Sequence, residues 1–132
     1  MGVALYIVEE RKLPGIETHV NGKALGRSKS LNKLARQAGV RRLMEFFSQD
    51  PEEAAAFIED EGGEVPTGGF PAEQWFSCHE GSVTVRGLLT HLAANPTAAR
   101  DAVAITEDLR EFESILAKLA EAGVRWHLAI DF

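Results

Sequence analysis

A chain of 132 residues and 14.4 kDa, 45% hydrophobic and 26% charged, has the composition of a soluble globular protein, which excludes disorder, collagen-like repeats and a disulfide scaffold. The lone Cys78 cannot form an intramolecular disulfide, and no run approaches the roughly 18 apolar residues of a membrane span. The net charge of −6 conceals an asymmetry, since residues 1–44 carry +6 and residues 45–132 carry −12.

These features imply one cytoplasmic domain over residues 1–132, with no signal peptide because the apolar run Val3–Val8 is only six residues long and Glu9 and Glu10 follow it directly. In chain order, Val3–Val8 is a short β-branched and aromatic run that predicts a strand covered on both faces. Thr18-His19-Val20 is a candidate extended piece before the Asn21-Gly22 turn signal. Ser30, the apolar spacing of Leu31, Leu34, Ala35 and Ala38, and the stop at Gly39 predict a helix over 31–38. Leu43–Phe47 reads equally as helix or strand. Asp50-Pro51-Glu52-Glu53 predicts a capped helix from 51 to about 60, with Phe57 and Ile58 facing inward.

Residues 62–71, with four glycines and two prolines, are a loop. Val85, Leu88, Leu89 and Leu92 predict a helix from near Ser82 to Asn95-Pro96. Thr106 is the expected cap of the strongest helix, whose stripe is Leu109, Phe112, Leu116 and Leu119, with Glu107 and Asp108 in its first turn and Gly123 at its end. The alternation of Val124, Trp126, Leu128, Ile130 and Phe132 with Arg125, His127, Ala129 and Asp131 predicts a strand with the first set buried and Arg125, His127 and Asp131 solvated. The resulting expectation is an α+β fold in which a small sheet, with N- and C-terminal strands adjacent, packs against about four helices.

Chemistry-bearing residues concentrate at Ser77-Cys78-His79-Glu80, where a thiol, an imidazole and a carboxylate adjoin two aromatics. Sequence neighbours seldom face one another usefully, so the simpler reading is a buried cysteine beside surface groups, and no catalytic residue is assigned. His19, His79, His91, His127, Cys78, Glu80 and Asp131 show no metal-ligand spacing, and no metal or cofactor is expected. The glycine-rich loop lacks the Lys-Ser/Thr pair of a phosphate cradle, and Asp60, Glu61 and Glu64 would repel phosphate. Phe70 and Trp75, with His79 and Glu80, are instead the candidate binding residues, because aromatic anchors dominate protein interfaces.

The basic set Lys23, Arg27, Lys29, Lys33, Arg36, Arg41 and Arg42 has no interleaved aromatics, which argues against nucleic acid and for neutralisation against the acidic helices. The expected function is a small acidic protein-interaction module, immunity-like or regulatory, without catalytic activity and away from membranes. Two alternatives stay open: a small hydrolase or transferase using Cys78-His79-Glu80 with His19 or His127, and a homodimer or homo-oligomeric structural subunit paired through exposed sheet edges.

Overall fold

The structure, a computed structural model, describes residues 4–16 and 22–131. Its elements are β1 (Ala4–Glu9), α1 (Lys23–Arg27), α2 (Leu31–Ala38), a 3-10 turn (Leu43–Phe46), α3 (Pro51–Asp60), α4 (Cys78–Ala94), α5 (Ala102–Glu121) and β2 (Trp126–Asp131). The expected α+β architecture is present: β1 and β2 pair antiparallel, from Ala4 opposite Asp131 to Glu9 opposite Trp126. The candidate piece at 18–20, with His19, lies outside the described residues.

One side of this two-stranded sheet supplies Leu5, Ile7, Trp126 and Leu128 to the core. Against it lie α4, contributing Val85, Leu88 and Leu92, and α5, contributing Ile105, Leu109, Phe112, Leu116 and Leu119. The α5 residues recur at three and four positions, which puts them on one stripe of a 3.6-residue helix. Trp126 is the largest buried side chain; it stacks on Phe46 at 5.2 Å between ring centroids, and its indole N–H donates to the Ser77 carbonyl. Gly81 permits this packing, because a Cβ at that position would lie 2.4 Å from the Trp126 ring.

Both β2 and β1 differ from their expected burial. β2 is covered on both sides, because His127 is only 2% exposed and Ala129 is also buried. β1 alternates instead, with Leu5 and Ile7 buried and Tyr6 and Val8 half-buried. The cover over His127 comes from residues 73–75, more than fifty positions away, which local periodicity cannot register. Segments outside the strands also occupy the sheet's edges: Leu5 N–H donates to Gly22, Ser48 N–H donates to Leu128, and Phe76 and Trp126 exchange two backbone hydrogen bonds. These contacts take up several of the edge groups on which pairing with a second copy would depend.

The capping signals at α2 and α3 locate both helices. Gly39 closes α2 in the left-handed conformation at φ 71°, and the Asp50 carboxylate accepts from Glu52 N–H. α3 nevertheless buries none of its residues: Ile58 is half-buried and Phe57 is 53% exposed, contrary to the expected inward face. α4 begins at Cys78, four residues before the expected start, because Ser77 is the cap and its hydroxyl accepts from Glu80 N–H. α5 likewise begins at Ala102, so Thr106 lies within it rather than capping it.

Asp108 consequently falls in the second turn of α5, where its carboxylate accepts from Ala24 N–H at 3.0 Å and Leu25 N–H at 3.2 Å. It fastens the start of α1, a five-residue helix that the sequence does not signal, instead of lying in the first turn of its own helix as expected. Burial nevertheless pushes the Asp108 carboxyl above its ordinary range despite these two donors. The ambiguous Leu43–Phe47 segment resolves into the 3-10 turn, burying Leu43 and Phe46.

Candidate functional site

On the sheet side away from α4 and α5, α3 and the segment following the glycine-rich loop enclose a cleft of about 430 Å³. Its floor is Tyr6, Val8, His127 and Ala129; α3 supplies Ala54, Phe57 and Ile58; Phe47, Phe70 and Glu73 close the sides. The sequence places these residues together by simple means. Alternation turns Tyr6, Val8, His127 and Ala129 to the same side of the pair, and positions 54, 57 and 58 share one flank of a helix. Asp50, Glu53 and Glu73 are carboxylate-bearing lining residues, and neither lysine nor arginine lines the cleft.

Within this cleft the buried His127 is hydrogen-bonded to the half-buried Glu73. His127 Nε2 lies 2.6 Å from Glu73 Oε2, and Nδ1 lies 3.0 Å from the Leu128 carbonyl oxygen. Both ring nitrogens lie within hydrogen-bond distance of a protein oxygen, so both are engaged within the fold rather than open to the cleft. Trp75 covers the ring at 4.7 Å between centroids, and the adjacent Gln74 N–H donates to the Ser48 hydroxyl at 2.7 Å. These contacts tie residues 73–75 to β2 and set Phe70 beside the cleft.

The four candidate binding residues divide between two places. Phe70 is half-buried and lines the cleft, whereas Trp75 is half-buried behind it against His127. His79 and Glu80 are exposed in the first turn of α4, where the Glu80 carboxylate lies 3.8 Å from Arg41. Sequence reasoning missed Glu73 altogether and read His127 as solvated. An apolar strand carrying one imidazole, with Asp131 four residues on as its local acid, offered no signal for a partner 54 residues away.

The Cys78 thiol is buried, donates to the Val124 carbonyl at 3.1 Å and is pushed up to about 11 by desolvation. Neither Cys78, His79 nor Glu80 is hydrogen-bonded to His127. Among the described residues no three His, Cys, Asp or Glu side chains group as metal ligands.

The basic set is only partly neutralised. Arg42 pairs with Glu45, and Arg41, besides Glu80, lies over the Phe46 ring at 4.5 Å and the Phe76 ring at 5.3 Å. Lys23, Arg27, Lys29, Lys33 and Arg36 are exposed and form no ion pair with a described residue. No protein-family model, curated protein or solved structure matches the chain.

Proposed function

We propose that the protein is a non-catalytic interaction module that binds a protein partner through the cleft between the sheet and α3. The observation that carries this reading is a cleft walled by Tyr6, Phe47, Phe57 and Phe70, in which His127, the one imidazole among the described lining residues, has both nitrogens engaged by protein oxygens. Aromatic side chains provide large apolar contact area at small entropic cost, which is why they anchor interfaces. A histidine general base, by contrast, needs an available ring nitrogen facing its substrate. The protonated, buried thiol of Cys78 weakens the hydrolase or transferase alternative further, since the thiolate is the nucleophile.

Ala54→Trp fills the cleft from α3 without altering charge, and circular dichroism checks that the variant is folded. Affinity capture from the native lysate with both proteins should identify at least one partner that the variant loses. That partner, purified, should bind the wild-type chain and not the variant. If every captured protein binds both equally, the cleft is not the interaction site and this reading fails.

A further inference from the structure

We infer that the cleft recognises a basic, apolar segment of its partner, with a lysine or arginine seated against the Asp50–Glu53 end and apolar side chains between α3 and the sheet. This rests on the interaction reading above and names the chemistry of the partner.

Charge complementarity decides the occupant. Residues 43–85 contain ten Asp and Glu and neither Lys nor Arg. α3 and its two flanking residues account for six of these acids: Asp50, Glu52, Glu53, Glu59, Asp60 and Glu61. The N-terminal dipole of α3, equivalent to about +0.5 charge, offsets only a fraction of the three carboxylates around its first turn. Asp50 is engaged in capping, and Glu73 is hydrogen-bonded to His127. Glu53 lines the cleft, is exposed and has no ion-pair partner among the described residues.

The same helix turns Ala54, Phe57 and Ile58 toward the cleft. An apolar wall bordered by negative charge favours a segment that alternates cations with apolar side chains, because a cation gains both Coulomb attraction and contact with aromatic faces. An acidic segment would meet repulsion there, and a neutral one would leave Glu53 without a counter-charge.

The experiment uses three fluorescein-labelled twelve-residue peptides, alternating Leu with Lys, Ser or Glu, titrated with the full chain and followed by anisotropy. The Lys peptide should bind at least tenfold tighter than the Ser peptide at low salt, with the Glu peptide weakest. Raising salt should narrow the gap. Glu53→Gln should weaken the Lys peptide severalfold, and Ala54→Trp should abolish its binding.

Equal binding of the Lys and Ser peptides would overturn the inference, as would binding of none. Lys-peptide binding that persists in Ala54→Trp would mean diffuse attraction to an acidic surface, and also overturns it. So would a concentration-dependent dimer in sedimentation that Ala54→Trp dissolves, since the occupant would then be a second copy. In each case a cleft-dependent partner from the capture experiment would keep the interaction reading, and only its absence removes that.

Discussion

Trp126 organises its surroundings because it is large, fully buried and carries one polar atom. Its ring stacks on Phe46, and its N–H is satisfied by Ser77. Trp126→Ala should cost about 3 to 5 kcal/mol in denaturant unfolding, as expected for removal of a buried aromatic. Gly81→Ala tests the same packing from the other side: the added methyl must displace a ring held at both ends, so a loss of about 1 to 3 kcal/mol is expected by the same measurement. Cys78 makes a separate prediction through pH. Its thiol ionises near 9 when unfolded and only near 11 when folded, so between these values the unfolded chain releases its proton first. Stability relative to a Cys78→Ala variant should therefore be constant below about pH 9, fall as pH rises from 9 to 11, and level off above. Paired urea titrations across that range measure it.

Asp108 joins two elements whose contact has no local cause. Loss of the carboxylate in Asp108→Ala should cost about 1 to 2 kcal/mol, comparable to removal of a helix cap, and should accelerate amide exchange first in α1. Asp108→Asn keeps an acceptor oxygen and removes the buried charge, so it should retain most of the wild-type stability. A two-way comparison of unfolding midpoints distinguishes these outcomes. Helices with their own terminal signals, α2 and α3, could be located from sequence because caps are neighbours of the turns they satisfy. α1 could not, since its N–H groups are satisfied from α5, 83 and 84 positions away. The starts of α4 and α5 differ from their expected places for other reasons. α4 starts at the Ser77 cap, with Glu80 three residues on, ahead of the apolar spacing that begins at Val85, and α5 extends a turn before Thr106, burying Ala102 and Ile105. Of the candidate site, the aromatic Phe70 was readable, whereas the His127–Glu73 pair and α3's open flank depend on how distant segments settle over the sheet.

At the level of the whole molecule, the sheet is made from residues at opposite ends of the described chain. Pairing Glu9 with Trp126 closes a loop of more than a hundred residues, for which the logarithmic closure term alone is about 4 kcal/mol. Local helix packing between α4 and α5 involves no such penalty, so strand pairing belongs late in folding, as amide protection measured during refolding would show. A circular permutant that joins residue 131 to residue 4 through a short Gly/Ser linker and opens between Gly68 and Gly69 should fold with the same cooperative transition, because the break falls in an exposed loop. The adjacency of Ala4 and Asp131 also sets the mechanical character of the fold. Tension applied through these two residues pulls across the strand pair rather than along it, opening the ladder like a zipper from its outermost rung. Each rung then carries the load in turn, and the sheet yields at a lower force than the same number of hydrogen bonds sheared together.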